Sequence, residues 1–190
     1  MELSGVLPAI RCMKDFDKVL DSDIENIILL ETRISQLGNL VRYSKQKNKK
    51  VLVHVDLIQG LKSDEYGVEY LIRELKVDGI VSTRGNVITL AKKNKVLAIQ
   101  RIFALDSLAI KHNIKMVDRF RPDYIEVLPG IIPSIISEIH EYTGLPIIAG
   151  GLIRTEEDVY NAFRGGAKAV TTSQSTLWNL SISGESYIMS

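Results

Sequence analysis

The stretch PIIAGGLIRTEEDV, residues 146–159, decides how the rest of the chain is read. Its first four residues, Pro146-Ile147-Ile148-Ala149, form an apolar run of the length of a short buried strand. Two glycines follow. Thr155 then stands where a helix N-cap would stand, with Asp158 three residues on, the spacing of a capping box, and Glu156 and Glu157 suit the positive end of the helix. Gly150 and Gly151 permit positive φ and a close main-chain approach to a ligand. N–H groups at such a turn form an anion site, most often for phosphate. Taken alone the motif is equally a plain turn before a well-capped helix, so its surroundings must decide.

The same strand-then-helix unit recurs on both sides of it. Residues 6–10, 26–31, 51–56, 79–83, 96–102, 124–128 and 169–173 are further apolar strand runs. Helical spacing follows them at 14–20, 35–47, 66–75, 87–93, 107–117 and 132–142, and Leu177-Trp178 fall in a short closing helix. Continuous apolar strands indicate a sheet covered on both faces, and eight alternating units predict a compact (β/α)8 TIM-type barrel in a single domain over 1–180. A doubly wound open sheet would place a glycine-rich fingerprint at the first strand-to-helix turn, where Arg11-Cys12-Met13 stands instead. Since about 250 residues is typical of the barrel, this one is close to minimal, with its longest strand-to-helix connection at 57–65. The polar segment 181–190 is expected to be a loosely held C-terminal tail.

Composition sets outer bounds. The 190 residues are 45% hydrophobic and 25% charged, which suits one sizeable core and carries no disorder signature. With a single cysteine, Cys12, no internal disulfide can form, and a cytoplasmic setting is expected. No apolar run approaches the roughly 20 residues of a membrane span, so no membrane association is expected. The net charge of +1 requires any nucleic-acid contact to rest on a local basic patch.

In such a barrel the ligand face lies at the carboxyl ends of the strands, and phosphate is commonly held after strands seven and eight. The double glycine follows strand seven; Thr171-Thr172-Ser173-Gln174-Ser175 follows strand eight. Gly150, Gly151, Thr172 and Ser173 are therefore the expected phosphate ligands. Other strands end in Glu31, Asp56, Ser82, Thr83, Gln100, Arg101 and Glu126. Two-residue alternation groups His54 with Asp56 and Ala98 with Gln100 on faces expected to line the interior, and would turn Arg101 outward. Carboxylates around one mouth can act as acids or bases, hold a divalent cation, or accept hydrogen bonds from a polyol. His54 has no second histidine or cysteine at ligand spacing, so no metal site is assigned, and an interior hydrogen-bonded role is the alternative for it. His112 and His140 fall in helices and are expected at the surface.

Basic residues cluster in helix-to-strand loops at the opposite end: Lys47, Lys49 and Lys50, then Lys92 and Lys93, with Arg119 and Arg121 after the fifth helix. Such a patch can hold nucleic-acid phosphates, or simply be solvated lysines near helix C-termini.

The segments VDLIQGL (55–61), DGIVST (78–83), QRIFALDS (100–107), EVLPG (126–130), AGGLI (149–153) and Thr172-Ser173 together resemble the glycerol-3-phosphate-responsive antiterminators, regulators of bacterial glycerol uptake operons. That resemblance implies a barrel that senses glycerol 3-phosphate and acts on an mRNA leader to prevent premature transcription termination. It implies a regulator rather than a catalyst, with no catalytic residue and no cofactor to assign. Glycerol hydroxyls would then be bound from Glu31, His54, Asp56, Gln100 and Glu126, away from the phosphate, with 57–65 as the closing loop and the lysine loops as RNA contacts. Competing readings are an isomerase, lyase or prenyl transferase acting on a glycerol phosphate, or a ligand-binding protein that acts on another protein. The sequence leaves the oligomeric state open, a homo-oligomer included.

Overall fold

The structure is a computed structural model that describes residues 1–180; the segment 181–190, expected as a tail, lies outside the described residues. Eight parallel strands close into a barrel in the order β1-β8-β7-β6-β5-β4-β3-β2. They are β1 Gly5–Ile10, β2 Asn26–Leu29, β3 Lys50–His54, β4 Gly79–Ser82, β5 Leu97–Phe103, β6 Tyr124–Leu128, β7 Ile147–Gly150 and β8 Ala169–Thr172. Parallel neighbours need crossover connections, and seven helices supply them. These are α1 Met13–Leu20, α2 Ile34–Gln46, α3 Glu65–Glu69, α4 Gly85–Lys93, α5 Ser107–Phe120, α6 Pro133–Thr143 and α7 Glu156–Arg164. After β8 the described residues form a 3-10 turn, Ser175–Leu177.

Two apolar layers account for strands without polar alternation. Leu7, Ile28, Leu52, Val81, Ile99 and Ile148 fill the barrel. Their sequence neighbours Val6, Ile27, Val51, Ile80, Ala98 and Ile147 pack outward on helix residues such as Phe16, Leu37, Val87 and Ile136. Each buried aliphatic side chain contributes about 1.5–3 kcal/mol, so both layers hold the strand register. The amino-terminal end is plugged by fully buried Leu3, whose N–H donates to the Tyr124 hydroxyl at 3.0 Å.

A repeated device fixes strand starts at that end. Asp78, just before β4, accepts the Val51 N–H at 2.7 Å and pairs with Lys45. Asp123, just before β6, accepts the Ala98 N–H at 2.9 Å and pairs with Lys92.

At the carboxyl end, the 57–65 connection does not hang free. Ile58–Gln59 pairs in parallel with Thr32–Arg33, matching Thr32 to Ile58 and Arg33 to Gln59, so the loops after β2 and β3 are stapled together. Ile58 is buried, and Asp64 caps α3 by accepting the Gly67 N–H at 3.0 Å. The expected closing loop is thus anchored at both ends.

Candidate functional site

The loops after β7 and β8 meet as the sequence predicts. Gly151 has φ +75° and Leu152 φ 62°, so the main chain turns through two successive left-handed residues. Leu152 has no glycine-like freedom, and a side chain held in that region stores of order 1 kcal/mol or more, as functional turns often do. α7 then starts with a complete capping box: the Asp158 N–H donates to the Thr155 hydroxyl at 3.1 Å, and Asp158 accepts the Arg154 and Thr155 N–H groups at 2.9 Å each. Those bonds, the Arg154 N–H foremost, hold the Asp158 carboxyl below its ordinary pKa. With the Asp158 N–H taken by the cap and three carboxylates in its first turn, this helix start is a poor seat for an anion. The glycine turn itself remains.

Thr172 ties the two loops together. Its hydroxyl donates to the Ile153 carbonyl at 2.8 Å and accepts the Gln174 N–H at 3.1 Å, while its carbonyl accepts the Trp178 indole N–H at 2.9 Å. The hydroxyl predicted as a phosphate ligand is therefore committed to positioning. Gly151 and Ser173 line one cavity of about 120 Å³, whose inner wall is Arg101, Glu126 and Thr171 and whose outer edge is Arg11.

Glu126 is the centre of that wall and is only 2% exposed. It accepts the Arg101 Nε–H at 2.7 Å and the Thr171 hydroxyl at 2.8 Å. Gly150 is what makes room: a Cβ there would lie 2.6 Å from the Thr171 hydroxyl and 2.8 Å from the Glu126 carboxylate. Beneath sits His54, 2% exposed, with neither ring nitrogen hydrogen-bonded. Burial, reinforced by the Arg101 charge, pushes its pKa down from 6.5 to about 4, against the opposing pull of Glu126 and Asp56. It is a neutral imidazole with a free donor and a free acceptor.

The orientation expected on β5 is reversed. Ile99 belongs to the barrel filling and Ala98 to the outer layer, so Arg101 points in, its side chain 10% exposed, and Gln100 points out. Gln100 is buried there, and its amide donates to the Thr83 carbonyl at 2.8 Å. His54 does face the interior as expected. The remaining carboxylates do not converge on Glu126. Asp56 is consumed by the Ser82 hydroxyl at 3.0 Å, the Thr83 N–H at 2.7 Å and Arg84 at 3.6 Å. Glu31 forms an exposed pair with Arg11. Among the described residues no group of three His, Cys, Asp or Glu is arranged to hold a metal.

At the opposite end the lysines are mostly partnered. Lys47 pairs with Asp21 at 3.2 Å, Lys50 with Asp78 at 3.9 Å, and Lys92 with Asp123. Lys49 is 5% exposed and donates to the Ser22 carbonyl, so its ammonium is not on offer to a ligand. Lys93 is exposed, in a groove it shares with Glu65 and Glu69. His112 and His140 are exposed on α5 and α6, as expected.

Residues 6–178 match the glycerol-3-phosphate responsive antiterminator family. The chain belongs to that family. It is 45% identical to the glycerol uptake operon antiterminator regulatory protein of Listeria monocytogenes, whose crystal structure superposes with a TM-score of 0.89 over 92% of this chain and 94% of that one. A glycerol uptake operon antiterminator-related protein of Thermotoga maritima, 29% identical, superposes at 0.83 over 94% of this chain and 100% of that one. The uncharacterised protein YgcP of Escherichia coli K12 is 34% identical over 91% of this chain and 92% of its own. Among the described residues no helix of this antiterminator is long and apolar enough to cross a membrane.

Sequence reasoning missed two residues of the antiterminator's pocket and misassigned a third. In the sequence Arg11 stands only where a glycine is absent, and Thr171 only within a hydroxyl run. Polarity alone chooses the wrong inward face for β5 and turns Arg101 outward. Arg101 and Glu126 are register partners on adjacent strands, a pairing visible only once the strands are aligned.

Proposed function

We propose that this antiterminator holds glycerol 3-phosphate in the cavity between the β7 and β8 loops, and that occupancy controls its engagement of an mRNA leader. The observation that carries the reading is that Gly151 and Ser173 share one small cavity with the Arg101 guanidinium. A dianionic headgroup there is met by main-chain N–H groups of the two turns and by a nearly buried cation, both worth more in a partly dry site than in water. The glycerol end lies towards Glu126, whose carboxylate accepts from hydroxyls, and towards His54, whose unpaired nitrogens offer one donor and one acceptor. Arg101 stands between phosphate and Glu126, which offsets the repulsion between two like charges. Thr172 and Gly150 position the loops and the acid; Glu31, Asp56 and Gln100, bonded elsewhere, have no direct part.

The family description, glycerol-3-phosphate responsive antiterminator, and the Listeria relative's name support a sensing and regulatory role rather than catalysis. A ligand shifts such a regulator only by its differential affinity for two forms. Arg101 is the candidate differential contact, because a phosphate competes with Glu126 for its guanidinium. Thermal unfolding against glycerol 3-phosphate, glycerol and inorganic phosphate tests the ligand. A specific ligand at a hundredfold excess over its Kd adds about 2.7 kcal/mol, and an equal response to inorganic phosphate would overturn the assignment. Binding of leader RNA with and without the ligand tests the output.

A further inference from the structure

Beside the ligand pocket, at the same end of the barrel, lies a larger cavity of about 410 Å³ between α1 and α2 that glycerol 3-phosphate does not require. Its base is apolar, with Phe16, Leu29 and Leu40 among the lining, and Arg11, Arg33 and Gln59 stand at its edge. We infer that this cavity takes one unstacked base of single-stranded RNA, with Arg33 on a flanking phosphate and Arg11 as the wall it shares with the ligand pocket. The inference rests on the antitermination reading above and adds to it the place where RNA is read.

Sequence-selective binding of single-stranded RNA works by splaying a base out of its stack into an apolar slot, bonding its polar edge, and neutralising the adjoining backbone. The cavity supplies each part. Its volume is in the range of small-molecule sites. The amide of Gln59 offers both a donor and an acceptor, as a base edge requires. Arg33 is exposed and forms no ion pair among the described residues, whereas the lysines at the other end are partnered. The short ladder of Thr32–Arg33 with Ile58–Gln59 lies outside the barrel sheet, and its register sets Arg33 beside Gln59 at the cavity edge.

The position also explains how ligand and RNA would communicate. Arg11 lines both cavities and is paired with Glu31, which faces the larger one. A dianion in the smaller pocket draws the Arg11 guanidinium towards itself and frees Glu31 to accept from a base. By linkage, RNA then strengthens glycerol 3-phosphate binding by the same factor that the ligand strengthens RNA binding.

The test is fluorescence anisotropy of labelled glycerol-operon leader RNA, with and without glycerol 3-phosphate, across a salt series. Arg33→Ala/Gln59→Ala is expected to lower RNA affinity about tenfold or more and to reduce the salt slope by about 0.7, one single-strand phosphate contact. Its thermal shift with glycerol 3-phosphate is expected to stay as in wild type, which also reports that the barrel is folded. Gln36→Trp on α2, which fills the same cavity with a bulky side chain, is expected to weaken RNA binding without touching the ladder. Arg11→Ala is expected to narrow the ratio of RNA affinities with and without ligand. If wild type binds the leader and all three variants bind it with unchanged affinity and coupling, the base cavity is wrong while the sensor reading stands. If wild type binds no leader RNA in either state, the sensor reading falls and takes the cavity with it.

Discussion

Glu126 has one oxygen on Arg101 and the other on Thr171, and both partners come from other strands. Removing one member of a buried ion pair strands the other, at about 3–5 kcal/mol. Arg101→Met is therefore expected to lower unfolding free energy by that order in urea titrations and to abolish the glycerol 3-phosphate response. Arg101→Met/Glu126→Leu should recover much of the stability but none of the response, since only the first loss is one of charge balance. Full recovery of ligand binding in the double variant would remove Arg101 from the site. Below this pair, His54 makes the fold sensitive to acid. Its pKa is about 4 in the folded chain against 6.5 ordinarily. The unfolded chain thus binds a proton between those values that the folded chain refuses. Stability from the neutral imidazole is whole above pH 6.5 and is lost as pH falls towards 4, to a total of about 3 kcal/mol. His54→Gln should flatten that limb, seen as a smaller difference between unfolding free energies at pH 7.5 and 5. Equal slopes for both proteins would contradict the buried neutral form.

Two hydroxyls near the phosphate loops look alike in sequence and serve different elements. Thr155 caps α7, whereas Thr172 binds the β7 loop to the β8 loop. Thr155→Ala should cost about 1 kcal/mol and leave the thermal response to ligand intact, because the proposed anion site lies at the glycine turn rather than on that helix. Thr172→Val removes the bond to the Ile153 carbonyl, should cost about 1–3 kcal/mol, and should weaken ligand binding as well. Parallel losses of ligand response in both variants would return the anion to α7. The strand pattern and the capping box were legible in sequence because each is local: a doubly buried strand is apolar throughout, and a cap needs only a threonine three residues before an acid. The inward face of β5 was not. Ala98-Gln100 and Ile99-Arg101 each offer one apolar and one polar residue, so polarity cannot choose between them; the register with Tyr124 and Glu126 does. Nor could spacing reveal that Lys92 is answered by Asp123, thirty-one positions away.

The two ends of the barrel differ in how their charge is balanced, and that difference bears on where RNA can lie. At the amino-terminal end Asp21, Asp78 and Asp123 answer Lys47, Lys45 with Lys50, and Lys92, and two of these aspartates also hold strand N–H groups. A polyanion approaching there would compete with carboxylates fixed by the fold. Each neutralised phosphate contributes about 0.7 to the salt slope of single-strand binding. Lys47→Ala/Lys50→Ala/Lys92→Ala is therefore expected to change that slope by less than one contact's worth and to leave the ratio of RNA affinities with and without ligand unaltered. A fall in slope of about two would place RNA at the lysine end, across the whole barrel from the phosphate loops. Ligand control would then have to pass along the packed barrel strands, whereas binding at the carboxyl end needs only Arg11 to change partners.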